Sequence, residues 1–327
     1  MKAGKLDTSL LKKIVFENIT YHRDEVLIRP GVGEDCAVVD FGEYACVLST
    51  DPITGAANEV GRLAVHISCN DIASNGVAPM GLMMTIMAPI GTTAEEINEV
   101  MKQAGETAAA LNVEIIGGHT EITPAVNRIV VSVTALGRMK KEQLVKTSGA
   151  CIGDHIILTK SAGLEGTSIL AFDFENKLKE VVGEEIIQNA KKMMEQISVI
   201  EEGVIGGEVG ATSMHDVTEG GVLGAVWELC EASAVGARLY MERVPIAKET
   251  DAVCRFFDID PLKLISSGCM IMTIPKEKEK ILLKRLEDKG IKASIIGEIT
   301  EGGRYLVDGL HEIEILPPES DELYKVL

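Results

Sequence analysis

The stretch EVGRLAVHISCNDIASNGVAP, residues 59–79, reads as one amphipathic helix closed by a turn. At ~100° per residue, Val60, Ala64 and Ile67 fall on a single apolar stripe. Asp71 projects within about 40° of that stripe, where a hydrophobe is expected. Gly76 is placed for the left-handed conformation that ends a helix, which predicts a helix over about 59–75. An acid desolvated on an apolar face is costly unless it is paired or bound to a cation. The helix C-terminus adds to that cost, because the negative end of the dipole disfavours an anion. Arg62 lies on a different face and cannot neutralise it. Two partners stay open: hydroxyls and backbone amides that cap a buried Asp, or a hard divalent cation shared with Asp35 and Asp51.

Working outward, YACVLST (44–50) reads as a buried strand stopped by Asp51-Pro52, and LMMTIMAP from Leu82 as a second. Thr93-Ala94-Glu95-Glu96 is a capping box that opens a helix to about Leu111. VEIIGGHTEITP (113–124) predicts a short strand that breaks into a loop at Gly117-Gly118, and RIVVSVTALG (128–137) another strand. The alternation makes the first half an α/β layer structure. RMKKEQLVKTSGACIG (138–153) loses periodicity and gains charge and glycine, which places a domain boundary there and divides the chain into 1–148 and 149–327. The second half reads as strand HIILTK, helices from about Glu165 and over 184–200, a Gly-rich passage EEGVIGGEVGAT (201–212), and a helix from near Thr218. Strand, helix, strand, helix, strand then follow from Gly236 to Ile299, an α+β domain of the split β-α-β kind.

A length of 327 residues with 46% hydrophobic and 25% charged residues suits two globular domains. The net charge of −18 argues against nucleic acid or an anionic membrane as partner. No apolar run approaches the roughly 20 residues of a membrane span, and the start lacks a long apolar core, so a cytoplasmic protein is expected. The seven cysteines are scattered, without a Cys-x-x-Cys pair, which predicts reduced and mostly packed thiols.

The familiar phosphate-binding loops are missing, so phosphate chemistry would have to be built from other segments. In PGVGEDCAVVDF (30–41), Gly31 and Gly33 precede Glu34-Asp35; this is either a cation-bearing phosphate turn or an ordinary turn. Thr50 and Asp51 sit at a strand end, either facing a ligand crevice or only stopping the strand. His119, Thr120 and Glu121 follow Gly117-Gly118, where an imidazole could serve acid/base chemistry or lie idle on the surface. Asp216 and Thr218 precede a helix whose first turn carries Gly220-Gly221. Capping accounts for Thr218, while two glycines, each costing roughly 1 kcal/mol in a helix, suggest an anion site.

Taken in order, GVGEDCAVV, STDPI, EVGRLAVHISCNDIASNGVAPMGLMMTI, IIGGHTEITP, HDVTEGGVLGAVWELCEAS and ISSGCMIMTIP resemble the aminoimidazole ribonucleotide (AIR) synthetase superfamily. That superfamily includes the hydrogenase-maturation carbamoyl dehydratase, thiamine-monophosphate kinase and selenophosphate synthetase. The resemblance implies an α/β N-terminal domain that pairs with its twin in a dimer-spanning β-barrel, plus an α+β C-terminal domain. It implies ATP and Mg2+ in the cleft, with the γ-phosphate activating an oxygen of a second substrate that is a small molecule or protein-bound. Carried over by residue, it makes Asp35, Asp51 and Asp71 metal ligands. Gly33, Thr50, Asn70, Gly117, Gly118, His119, Thr120, Asp216, Thr218, Gly220 and Gly221 join them around the nucleotide, with His119 and Glu121 as acid/base candidates.

The second half looks most like the hydrogenase-maturation member. Three features depart from that pattern: the sequence closes on ELYKVL where that member carries a cysteine, GGHT replaces its Gly-Gly-Asp-Thr, and His215 and Glu219 replace basic residues. A thiamine-monophosphate-type kinase and a non-catalytic nucleotide-binding partner of a maturation complex are the alternatives.

Overall fold

The computed structural model describes residues 6–53, 59–318 and 320–327. In chain order the first half runs α1 Thr8–Ile14, β1 Val26–Ile28, β2 Ala37–Phe41, β3 Tyr44–Ile53, α2 Val60–Ser74, β4 Pro79–Ala88, α3 Ala94–Ala110, β5 Glu114–Ile122 and β6 Val130–Lys140. The second half begins with β7 His155–Thr159, α4 Leu164–Asp173, α5 Glu175–Val182, α6 Glu184–Lys192, α7 Ile200–Val209, β8 Ser213–Asp216 and α8 Gly221–Ser233. It continues with β9 Gly236–Tyr240, α9 Lys248–Phe257, β10 Met270–Ile274, α10 Glu279–Asp288, β11 Ala293–Thr300, β12 Arg304–Asp308 and β13 His311–Glu314. The segment 54–56 of LSTDPITGA lies outside the described residues.

β1 to β6 form one mixed sheet in the order β1-β2-β3-β6-β4-β5, and β7 to β13 a second in the order β13-β12-β9-β11-β7-β10-β8. Along β6 alternate residues point inward, so Val131, Val133 and Ala135 are buried beneath α2 while their neighbours are half-buried on the other face. The first sheet is open, with β1 and β5 at its edges, and no closed barrel forms among the described residues. The dimer-spanning barrel implied by the resemblance is therefore not a property of the single chain. No helix among the described residues is long and apolar enough to cross a membrane. All seven cysteines are free, and five of them are buried.

The helix of residues 59–75 is present as α2, but it is not a surface helix. Of its 15 residues, 13 are buried, because the sheet covers one face while α3, α7 and β8 cover the others. Its polar residues find partners across the junction. The Asn70 amide donates to the Ile197 carbonyl at 2.8 Å and accepts from the Val199 N–H at 2.9 Å. Asn75 donates to the Val145 carbonyl at 2.7 Å, and Gly76 follows with φ +80° as expected. A cluster of Ala73, Val145, Ile205, Met214 and Met272 joins the two halves at this end of α2.

Three local expectations change. The Gly-rich passage 201–212 is mostly the helix α7; Gly203 and Gly206 serve close packing, and Gly210, at φ +91°, ends the helix. A Cβ on Gly203 would lie 2.1 Å from the Ala73 carbonyl oxygen, so only glycine lets α7 reach α2. The strand through 113–124 does not break at Gly117-Gly118; β5 runs on to Ile122, parallel to β4, with a bulge opposite Leu82 and Met83. A Cβ on Gly118 would meet the Met84 carbonyl oxygen at 1.9 Å, so this glycine marks a close approach of two paired strands and not a loop. α8 starts at Gly221 with Gly220 as its N-cap residue, two positions later than a Thr218 cap requires.

Candidate metal and nucleotide cleft

The acid on α2 ends in a cleft between the two sheets. Asp71 is 4% exposed, and its Oδ2 accepts from the Ser49 hydroxyl at 2.5 Å. Ser49 and Asp51 share the inward face of β3, so the same strand that packs on α2 delivers a second carboxyl, which hydrogen-bonds that of Asp71. Asp216 closes β8 at the same cavity, and Asp35 arrives on the 30–36 turn. Gly33 is needed there: its φ is +76°, and a Cβ would come within 2.9 Å of the Glu228 carbonyl oxygen. A cavity of about 360 Å³ is lined by Asp35, Asp51, Asp71, Asp216, Glu165 and Thr218, with Ile53, Leu63, Ile67, Ile169, Ile265 and Leu323 as its apolar wall. Burial drives the Asp71 carboxyl well above its ordinary range, and the charges of Asp216, Asp51 and Asp35 push it further.

His215 stands beside this group as a built-in cation. Its Nδ1 lies 2.7 Å from Asp35 Oδ2 and its Nε2 2.9 Å from Glu228 Oε2, so each ring nitrogen faces a carboxylate oxygen, an arrangement that favours the imidazolium. Burial alone would lower its pKa, but Asp35 and Glu228 outweigh burial and hold it well above the usual histidine range. The ligand atoms of Asp35, His215 and Asp216 lie within 4.8 Å of one another. Because both His215 nitrogens are spoken for, the donors left for a metal are carboxylate oxygens, a set that suits a hard cation such as Mg2+.

The remaining candidates fall elsewhere. Thr50 points to the exposed face of β3, opposite Asp51, and accepts from the Thr134 hydroxyl at 3.0 Å. Asn70 bridges α2 to the 197–199 backbone. Gly117, Gly118, His119, Thr120 and Glu121 lie along the exposed edge strand β5, and none of them lines the cleft. Gly220 and Gly221 have φ of +87° and +61°, a backbone only glycine adopts easily. The Gly220 N–H donates to Asp321 Oδ2 at 2.7 Å, so a carboxylate of the chain already takes the anion's place at that helix start. Thr218 and Gly220 line the two neighbouring cavities on either side of the 30–36 turn.

Glu165, Glu228 and Asp321 went unnoticed in the sequence. The first two carry the same signal as Asp71, an acid inside an apolar run, in AGLEGTSIL and VLGAVWELC. Asp321 lies in a polar segment and carries no such signal.

Comparison with known proteins bears on the whole cleft. Residues 33–139 match AIR synthase related protein, N-terminal domain, and residues 152–308 match AIR synthase related protein, C-terminal domain. A putative hydrogenase expression/formation protein of Methanocaldococcus jannaschii is 29% identical over 313 residues, 91% of this chain and 89% of that protein. The carbamoyl dehydratase HypE of Rhizobium leguminosarum bv. viciae is 23% identical, over 80% of this chain and 75% of its own. Among solved structures, the HypE-HypF complex superposes with a TM-score of 0.75 at 21% identity, over 94% of this chain and 99% of that one. ThiL complexed with AMPPCP and TMP superposes with 0.72 at 19% identity, over 94% and 95%. These structural likenesses establish a shared two-domain fold.

Proposed function

The chain belongs to the AIR synthase related family, and from that premise we propose that it is an ATP-dependent, Mg2+-requiring enzyme of the hydrogenase expression/formation type. Asp35, Asp51, Asp71 and Asp216 hold the metal and the nucleotide phosphates, and the γ-phosphate activates an oxygen of a second substrate. The observation that carries this reading is the convergence of four carboxylates from β3, α2, β8 and the 30–36 turn on one cavity. Mg2+ supplies the positive charge that lets four acids share a site with a polyphosphate. The chain's own contribution is electrostatic: Asp51 and Asp71 are fixed by the β3–α2 packing, and the His215 imidazolium offsets Asp35 and Glu228 without taking up a ligand position.

Similarity to the HypE-HypF complex and to ThiL complexed with AMPPCP and TMP supports two finer readings of the acceptor, protein-bound or small-molecule. The first is favoured by the hydrogenase expression/formation protein, which matches over nine-tenths of the chain. The division at residues 148 and 149 and a cytoplasmic location belong to the same proposal. So does a homodimer in which the exposed edge of β5 meets a second copy and His119 and Glu121 become covered. Titration calorimetry tests the core of it: Mg-ATP binds the protein, ATP with EDTA does not, and Asp71→Asn abolishes the difference. Equal affinity of the wild type and Asp71→Asn for Mg-ATP would overturn the metal assignment.

A further inference from the structure

The apolar end of the cleft holds an ionisable group that the metal reading leaves unused. Glu165 stands in the first turn of α4 and is 6% exposed, and its Oε2 has no hydrogen-bond partner. Its carboxyl is otherwise held by Ser267. The loop carrying Ser267 is tied to the start of α4, because the Gly163 N–H donates to Ser266 Oγ at 2.6 Å. Gly163 (φ +70°) and Gly166 pack so closely on Leu264 that a Cβ at either would fall within 3.3 Å of its side chain. Glu165 is thus fixed in place, and it lines the same cavity as Asp51 and Asp71, beside Ile169, Ile265 and Leu323.

A rigid, buried carboxyl with an open oxygen is costly unless something completes it. Among the described residues that line this cavity there is no lysine or arginine, whereas five further carboxyl groups, those of Glu34, Asp35, Asp51, Asp71 and Asp216, share it. The geometry points to Glu165 as a specificity-determining residue: its open oxygen takes an N–H donor of the second substrate, so that end of the cleft admits neutral or cationic donors and rejects anions. The inference rests on the reading of the acidic end as the Mg-ATP site. Burial first, then Asp321 and Glu219, shift the Glu165 pKa up to about 7, with Tyr324 also facing it. Rejection of anions therefore sharpens as pH rises through that value.

The test uses the full chain with Mg-AMPPCP bound and two probes of one carbon skeleton, isobutyramide and isobutyrate, titrated by ligand-observed NMR. The wild type is expected to prefer the amide by about tenfold, the scale of one hydrogen bond to a charged group. The preference should grow between pH 6 and pH 8. Glu165→Gln, which keeps shape and hydrogen bonding to Ser267, should flatten that pH dependence, and Glu165→Leu should remove most of the preference, leaving only what the other carboxyls of the cavity impose. Equal binding of the two probes, tighter binding of isobutyrate, no amide binding beside the nucleotide, or an unchanged preference in Glu165→Leu would overturn the proposal. Failure of Mg-AMPPCP itself to bind, measured first by calorimetry, sinks the nucleotide reading instead, so the two failures stay distinct.

Discussion

The cleft and the β5 edge are built from the same residue types, and they behave oppositely. On β5, His119 and Glu121 pair at 3.3 Å with side chains 65% and 51% exposed, an arrangement in which water screens both partners. In the cleft, His215 contacts Asp35 and Glu228 at similar distances but is 2% exposed, and its charge state is set by the protein. Asp71, at 4% exposure, is displaced from its ordinary titration range for the same reason. Chemistry requires groups whose protonation and charge the fold controls, and the cleft supplies them.

The largest test of this contrast is Asp71→Asn. Mg-ATP affinity should fall on the order of 100-fold, equivalent to about 2.7 kcal/mol, measured by calorimetry. The same variant should raise the melting temperature of the metal-free protein, because removing one of four mutually repelling carboxyls relieves the cluster. A loss of affinity together with a loss of metal-free stability would point to a packing role for Asp71 instead.

A second test reads proton linkage at Glu165. Its carboxyl titrates at about 7 when folded, against 4.5 for a solvated glutamate, so the folded state holds more protons between those limits. The stability advantage is complete below the unfolded value and is lost as pH rises through the folded one, a drop of roughly 3 kcal/mol in the metal-free protein. Glu165→Gln should remove most of that slope in urea unfolding curves collected from pH 4.5 to 7.5. An unaltered slope would mean that Glu165 is solvated in solution. Smaller still is the expected effect of metal on pH sensitivity. Mg2+ should stabilise the wild type more at pH 8 than at pH 6, since Asp71 must lose its proton to bind a cation.

Much of the cleft was legible because burial leaves a mark on sequence. Asp71 sits on an apolar stripe, and that anomaly alone said that it needed a partner; Glu165 and Glu228 carry the same mark and could have been found the same way. Element types were legible wherever periodicity or caps were strong, as in α3, whose Thr93 and Glu96 form the expected capping box. Glycine was the blind spot. Gly118 and the Gly220-Gly221 pair read as loop or anion site and Gly203 only as part of a Gly-rich passage, yet each is required by a backbone close by or a left-handed turn, and those neighbours are distant in sequence. Asn70, adjacent to Asp71, reads as part of the same site, whereas its partners lie at residues 197 and 199. Contacts between the halves of a chain have no local signature, and α2 is where both halves meet.

The smallest expected effect falls on the exposed edge. His119→Ala and Glu121→Ala should each change unfolding free energy by less than about 0.5 kcal/mol, as exposed pairs generally do. Both should leave Mg-ATP affinity at its wild-type value, because neither side chain lines the cavity that holds Asp51 and Asp71. Turnover is the informative measurement. If ATP consumption falls in His119→Ala while affinity and stability hold, the edge reaches a reacting group only in an assembly, and sedimentation should then find a second copy bound at β5. If turnover is also unchanged, the imidazole is a solvated surface group, and acid/base work falls to groups inside the cleft, where the protein controls the proton.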